Sequence, residues 1–240
     1  MKKRTIVGVA VIALGLAAAA AYAADNKFNN AKPGTYDPAK TFLVGATWDN
    51  GIGCPTAANV ATYPSTTPTG TYTDPACPTG DSKDKKNEGL ILAKTGPTSN
   101  NAESYVELKE LKGVTPTELG YDLRKPTSTA DPRGSHCGAD APMFQLEMQN
   151  GDVYYVGCSS PPPDQQTPGN GWLRLRWGGT VPLMGYLNGV TLQPITGTIK
   201  NAYIVFQDGQ DAGPDNFGLA VLDNIDVNGM LVGQGPNGDG

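Results

Sequence analysis

The class of fold is decided by one short stretch of the chain, Met143-Phe144-Gln145-Leu146-Glu147-Met148-Gln149-Asn150-Gly151-Asp152-Val153-Tyr154-Tyr155-Val156. Apolar and polar side chains alternate over its first six residues, which is the pattern of a β-strand with one buried face. Asn150-Gly151 follows, and this dipeptide favours the tight turn of a two-residue hairpin. The residues after the turn are rich in Val and Tyr, which suit a returning strand. The stretch therefore predicts an antiparallel β-hairpin.

Similar runs of residues lie on both sides of this hairpin. They cover residues 42–48, 89–94, 102–111, 119–124, 172–177, 196–206 and 217–227. The segments between them are rich in Gly, Pro, Thr, Asn and Asp, which are residues of turns and loops, and residues 159–171 are expected to form such a loop. No long amphipathic helix is found. We therefore expect an all-β chain in which residues 41–232 form one antiparallel β-sandwich of two sheets, similar to a jelly roll.

The N-terminus has the pattern of an export signal. Three basic residues precede an apolar run over residues 6–20, and the small-x-small pattern Ala21-Tyr22-Ala23 follows it. The apolar run is shorter than the roughly 20 residues that a membrane-spanning helix needs. We therefore predict a signal peptide over residues 1–23 that is cleaved before Ala24, and a mature protein that is secreted, either extracellular or periplasmic.

Two polar segments flank the predicted domain. Residues 24–40 are rich in turn formers and are expected to be a flexible leader, and the glycine-rich residues 233–240 are expected to be a disordered tail. The formal net charge of the chain is -5 at pH 7. An acidic protein is poorly suited to nucleic acid or to an anionic membrane, both of which are bound through basic patches. Divalent cations remain suitable ligands.

The chain contains four cysteines, Cys54, Cys77, Cys137 and Cys158. An even number of cysteines in an exported protein indicates disulfides, here two. Three pairings exist, and we prefer Cys54–Cys77 with Cys137–Cys158 because each pair then encloses one local segment. A metal or redox site is disfavoured, since the chain has no C-x-x-C motif and a single histidine.

The last two predicted strands place a carboxylate on a core face. With a period of two, Asp223 shares one side of its strand with Phe217, Leu219, Val221 and Ile225. A buried carboxylate must be hydrogen-bonded, ion-paired or bound to a metal, because burying it without a partner costs several kcal/mol.

The same region carries a family resemblance. An apolar strand, an acidic turn that contains Gly, and a final strand reading Leu222-Asp223-Asn224-Ile225 together resemble the last hairpin of jelly-roll carbohydrate-binding modules. In those modules the corresponding Asp helps to hold a structural calcium ion. The resemblance implies a calcium site at Asp223, with helpers from the turn, Asp208, Asp211 and Asp215. The alternative is that Asp223 caps backbone amides at a sheet corner. Residues 137–158 resemble secreted bacterial proteins that have no assigned function.

Catalytic patterns are scarce. His136 is the one imidazole, and neither G-x-S-x-G nor H-E-x-x-H occurs. A glycosidase needs two carboxylates beside a cleft, and nothing selects two among Glu103, Glu107, Glu110, Glu118 and Glu147. The sequence therefore favours binding over catalysis.

The strand at residues 172–177 indicates what is bound. Trp172, Arg174 and Arg176 alternate with Leu173, Leu175 and Trp177. If the leucines face the core, then Trp172 and Arg174 face outward, and Tyr155 and Tyr186 are aromatic neighbours in sequence. An outward aromatic and polar face predicts contact with a glycan or polysaccharide. The alternatives are ordinary packing of these aromatics, a self-assembling filament or surface-layer subunit, and a glycoside-active enzyme.

Overall fold

The computed structural model describes residues 28–54, 80–96, 98, 101–125, 137–138, 141–158, 163–169, 171–207 and 218–236, and these form two antiparallel sheets. The strand order of the first sheet is β1 (Ala31–Tyr36), β4 (Glu103–Leu108), β12 (Ile199–Phe206), β6 (Met143–Met148), β7 (Val153–Val156), β10 (Met184–Leu187) and β11 (Thr191–Pro194). The order of the second sheet is β2 (Val44–Asp49), β3 (Gly89–Lys94), β13 (Leu219–Val227), β5 (Glu118–Arg124), β9 (Trp172–Gly178) and β8 (Asp164–Gly169), with β14 (Met230–Val232) paired to β13.

The inner faces of the two sheets share one hydrophobic cluster, as in a β-sandwich. Its centre is aromatic: the ring of Tyr121 on the second sheet lies 5.6 Å from that of Phe144 on the first and 5.4 Å from that of Trp177. Trp48 of β2 also donates a hydrogen bond from its indole N–H to the carbonyl of Ala31 in β1, at 2.9 Å. Packing of apolar faces and a polar contact at the edge thus hold the sheets together.

The hairpin that was predicted first is present as β6 and β7, with Gly151 at a positive φ of 93° in the turn. All the other predicted strands are present as well. The prediction was wrong about residues 159–171, because β8 lies within that expected loop. It was also wrong about the leader, because residues 31–36 form β1. Both are edge strands that pair on one side and carry Pro, so their residues lack the apolar alternation that identifies a half-buried strand.

The expected disordered tail is also partly ordered. The amides of Gly233 and Gly235 donate hydrogen bonds to the carboxylates of Asp81 and Glu88, at 3.2 and 2.7 Å. Glycine content predicted disorder for these residues. It could not indicate the carboxylates that order them, because Asp81 and Glu88 are far away in sequence. The signal peptide falls outside the described residues and stays a prediction. In the described ranges, no helix has the length and apolarity to cross a membrane.

Two disulfides were predicted, and the described part of the chain contains one. It joins Cys137 to Cys158, whose Cα atoms are 5.2 Å apart, and so ties the end of the β6–β7 hairpin to the segment that precedes it. The predicted partner of Cys54 is Cys77, which lies outside the described residues. That pairing therefore stays a prediction.

Removal of the Cys137–Cys158 disulfide should lower the free energy of unfolding by about 3 kcal/mol. The bond spans 21 residues, and closing a loop of that size removes conformational freedom from the unfolded chain. Urea denaturation of a Cys137→Ala, Cys158→Ala double variant against the wild type measures the difference. A difference near zero would show that the unfolded chain is not constrained by this bond.

Candidate binding face

The predicted face at Trp172 and Arg174 is buried. The register of β9 is as predicted, since Leu175 and Trp177 belong to the central core while Trp172 lies on the opposite side of the sheet. Trp172 is nevertheless only 1% exposed. Arg174 is also buried. It forms a bidentate ion pair with Asp122, Nε to Oδ1 at 2.7 Å and Nη2 to Oδ2 at 2.6 Å. The expectation that these two side chains form an open sugar-binding surface is therefore wrong.

A second layer covers the outer face of the second sheet. Residues 50–54 and 80–88 are joined by backbone hydrogen bonds from Gly51 to Lys86 and from Gly53 to Asn87, at 3.0 and 2.9 Å. Ile52 packs beside Trp172 in a small apolar cluster, which also contains Cys54, Ile91 and Val221. Alternation within β9 shows which of its residues share a face, but it does not show what covers that face. The covering segments themselves have no periodic pattern from which they could be predicted.

The other two predicted ligand residues lie on the outer face of the first sheet. Tyr155 of β7 and Tyr186 of β10 are directly opposite each other in the antiparallel register. Each is partly exposed, whereas Tyr154 beside them points into the core. The structure therefore brings together two of the four predicted residues and separates them from the other two.

These two tyrosines belong to a longer row, which we call the tyrosine stripe. It crosses six neighbouring strands, and its members in strand order are Tyr36 of β1, Tyr105 of β4, Tyr203 of β12, Gln145 of β6, Tyr155 of β7 and Tyr186 of β10. From Tyr203 to Tyr186 the members are direct cross-strand partners. Of the seven tyrosines in the described ranges, the two that are not on the stripe, Tyr121 and Tyr154, are fully buried. Every accessible tyrosine of that part of the chain thus lies on one face.

At one end of the stripe, close packing supports the orientation of Tyr105. Its ring lies over Gly34 of the neighbouring strand, and a β-carbon on Gly34 would sit 2.6 Å from Tyr105 Cζ. The ring of Tyr203 meets that of Tyr105 edge to face, with the centroids 6.0 Å apart. An aromatic ring that covers a glycine is a recognised way to stabilise an edge strand. Here it also fixes the ring on the sheet surface.

Polar groups surround the centre of the stripe. Glu107 forms an ion pair with Lys109, and Glu147 accepts a hydrogen bond from the Asn201 amide at 2.7 Å. Burial first, and then the charges of Glu147 and Glu107, raise the pKa of the Tyr203 hydroxyl, which therefore stays protonated near neutral pH. The stripe thus combines flat apolar ring faces with hydrogen-bonding groups on both sides.

The carboxylates named as catalytic candidates are divided between the sheets. Three of them, Glu103, Glu107 and Glu147, are on the outer face of the first sheet, while Glu118 begins β5 in the second sheet. Glu110 is in the turn after β4, at a φ of 63°. His136 lies outside the described residues.

Asp223 is fully buried and binds backbone amides. One carboxylate oxygen accepts a hydrogen bond from the Cys54 N–H at 2.6 Å, and the other accepts one from the Asn224 N–H at 2.5 Å. Burial, and then the nearby carboxylates of Asp84 and Asp122, raise its pKa well above the ordinary value. This is the amide-capping arrangement that the sequence left open as the alternative to calcium.

Three more carboxylates hold the covering layer in the same way. Asp81 accepts bonds from the amides of Lys83 and Gly233, and Asp84 from those of Lys86 and Glu88. Asp81 and Asp84 are both buried, as is Glu88. Across the described ranges no group of three or more His, Cys, Asp or Glu residues is arranged to hold a metal ion. The predicted helpers Asp208, Asp211 and Asp215 lie outside those ranges.

Comparisons with known proteins returned no matching family model, no matching curated protein and no matching solved structure. The likeness of the last hairpin to carbohydrate-binding modules therefore stays a prediction.

The free energy of unfolding should decrease as the pH rises from about 4 to about 7. Burial raises the pKa of Asp84 and of Asp226 to about 6, so at intermediate pH the folded protein holds protons that the unfolded chain has released. This stabilisation is present at low pH and is lost as the pH rises through the folded pKa. A pKa shift of about two units changes the free energy of unfolding by at most roughly 3 kcal/mol per group.

Urea denaturation at a series of pH values measures this dependence. Asp84→Asn removes one of the protonation sites and should flatten the profile. Stability that rises with pH over this range, or an Asp84→Asn profile that matches the wild type, would contradict the assignment.

A bound calcium ion should raise the melting temperature by mass action. Asp223 is the predicted ligand, so the difference between melts in calcium and in chelator should be lost in Asp223→Asn. Comparing the difference rather than the absolute temperature removes any direct effect of the substitution on stability. Superimposable melts of the wild type would contradict a calcium site in the folded protein.

Proposed function

We propose that the protein is a secreted, non-catalytic binding protein whose ligand is a glycan that lies along the tyrosine stripe. The observation that carries the proposal is the placement of five tyrosines on one face, in five of six neighbouring strands of the first sheet. Tyrosine offers a large, rigid contact area and loses little conformational entropy on binding, because it has only two side-chain torsions. A row of such rings suits the apolar faces of successive pyranose rings.

The groups beside the rings suit the hydroxyls of a sugar. Gln145 lies between Tyr203 and Tyr155 in the cross-strand register, and its amide can both donate and accept hydrogen bonds. The Asn201–Glu147 pair and the Tyr203 hydroxyl add further donors and acceptors. Convergence of apolar surface with a few polar groups is typical of small-molecule and saccharide sites.

Charge favours a neutral glycan. The effect of Glu147 and Glu107 on the pKa of Tyr203 is larger than the opposite effect of Lys109, and the whole chain carries a net charge of -5. An acidic polysaccharide would therefore be repelled from the centre of the stripe. The predicted jelly-roll topology, the signal peptide and the Cys137–Cys158 disulfide, which suits an oxidising compartment, support the same function.

Assembly with other copies of the chain is the second candidate. At the opposite edge of the first sheet, Leu192 of β11 is 41% accessible and Val190 in the turn before it is 79% accessible. An edge strand with exposed apolar residues is a template for pairing with another chain. A filament subunit would form large particles, and a glycan-binding protein of this kind would stay monomeric while retained on a polysaccharide.

Replacement of the tyrosine at the β10 end of the stripe should weaken glycan binding without loss of the fold. We expect Tyr186→Ala to weaken binding about tenfold, the effect of about 1.4 kcal/mol, and Tyr186→Phe to retain most of it because the ring remains. Affinity electrophoresis against neutral and acidic polysaccharides, with Val181→Ser as the matched control, provides the measurement. Val181 is 61% exposed but lies off the stripe.

Three outcomes would contradict the proposal. Retention of the wild type on none of the polysaccharides would move the assembly candidate ahead. Equal retention of Tyr186→Ala and wild type would place the site elsewhere. Preferential retention on an acidic polysaccharide would overturn the charge argument.

A further inference from the structure

The loop between β1 and β2 is held in one conformation by hydrogen bonds to a single residue, Asp37. The carboxylate of Asp37 accepts hydrogen bonds from the backbone N–H groups of Thr41 and Phe42, at 2.9 and 2.8 Å. The Thr41 hydroxyl donates a third bond to it, at 3.1 Å. The Lys40 amide donates to the Asp37 carbonyl at the same distance. Four hydrogen bonds in six residues make this loop an ordered turn.

Within the turn, Phe42 is both strained and exposed. Its φ is 58°, in the left-handed region where the β-carbon of a bulky residue crowds the backbone. Its side chain is 86% exposed, so the ring contributes almost no buried surface to the core. An aromatic ring held in water by an unfavourable backbone conformation has no evident role in folding. Strain of this kind concentrates at sites of function.

The turn begins where the tyrosine stripe ends. Tyr36 is the last residue of β1 and is 53% exposed, and it directly precedes Asp37. The Phe42 amide is 2.8 Å from the Asp37 carboxylate, so the backbone of Phe42 is close to that of Tyr36. Two exposed aromatic residues therefore lie at the same edge of the first sheet.

We propose that Phe42 extends the tyrosine stripe beyond the edge of the sheet and contacts a sugar chain there. The ligand class is then an extended neutral glycan rather than a short saccharide. The stripe alone crosses five intervals between neighbouring strands, which is about 24 Å at ~4.8 Å each. A short oligosaccharide fills part of that length, whereas a longer chain passes over β1 and reaches the turn. This inference rests on the proposed function and adds a chain-length preference to it.

A pair of glycine substitutions separates the ring from the backbone. Phe42→Gly and Lys40→Gly both place glycine at a residue of positive φ, 58° and 54°, and both retain the Asp37 carboxylate. Only the first removes an aromatic ring. The probes are cello-, xylo- and chito-oligosaccharides of four and eight units, with affinities measured by isothermal titration calorimetry and melting temperatures measured in parallel.

We expect Phe42→Gly to weaken binding of the eight-unit chain roughly tenfold while binding of the four-unit chain is unchanged. Its melting temperature should be equal to or above that of the wild type, because glycine relieves the left-handed backbone. Lys40→Gly should bind both lengths as the wild type does. Equal affinity of Phe42→Gly and wild type for the long chain overturns the inference, and so does an equal loss for both lengths.

The remaining outcomes distinguish this inference from the proposed function. If Tyr186→Ala loses binding and Phe42→Gly keeps it, only the role of Phe42 is contradicted and the proposed function stands. A wild type that binds none of the oligosaccharides contradicts both. If Phe42→Gly binds sugar normally but sediments as a smaller particle than the wild type, Phe42 is a contact between copies of the chain, and the inference is overturned.

Discussion

The buried ion pair between Arg174 and Asp122 constrains the whole architecture. It lies on the outer side of the second sheet, where it would face water in a sandwich of two bare sheets. Two charges at this depth are tolerated because the pairing is bidentate and because Asn224 donates a further bond to Asp122 at 2.8 Å. Arg176 adds a longer ion pair to the same carboxylate, 3.7 Å from Nη1 to Oδ1. The covering segments 50–54 and 80–88 therefore make the second sheet an internal layer, and of the two sheets the first is the one whose outer face carries a row of accessible rings.

Asp223 extends this buried polar network. Its oxygens hold the amides of Cys54 and Asn224, and Asp81, Asp84 and Glu88 hold other parts of the covering layer. The layer is thus fastened mainly by carboxylates that accept from backbone N–H groups rather than by an apolar interface. Such bonds are stronger than neutral ones, but several negative charges share one region. The pKa values of Asp223 and Asp84 are raised for that reason as well as by burial.

Alternation within a strand predicted which residues share a face. It identified the β6–β7 hairpin and the register of β9 correctly, but it was wrong about the face of Asp223. This residue is the cross-strand partner of Asp122 and is buried beneath the covering layer on the side of Val221. Leu222 and Ile225 both belong to the central core, because the register of β13 shifts between Asp223 and Asp226 and breaks the period of two. Alternation could not predict what covers a face, because Ile52 and the 80–88 segment reach Trp172 through contacts between residues distant in sequence.

The tyrosine stripe shows the same limit. Alternation puts each of its tyrosines on the opposite face of the strand from its neighbours in sequence. The stripe itself depends on the order of the strands, in which β12 of the C-terminal half lies between β4 and β6. No feature of the sequence near Tyr105 or Tyr203 indicates this order of strands.

The direction of the tyrosine stripe also determines how the sheet would respond to mechanical tension. The stripe crosses the strands, and in an antiparallel sheet the inter-strand hydrogen bonds are perpendicular to the strands. Tension applied to the sheet along the stripe would therefore pull each strand directly away from its neighbour. Every pair of strands would carry the full force, and the inter-strand hydrogen bonds would not share it as they do when strands are sheared lengthwise. The pairing of β7 with β10 involves two residue pairs, Tyr186 with Tyr155 and Leu187 with Tyr154, fewer than the four that join β6 to β7. Under tension, the sheet would part first between Tyr155 and Tyr186.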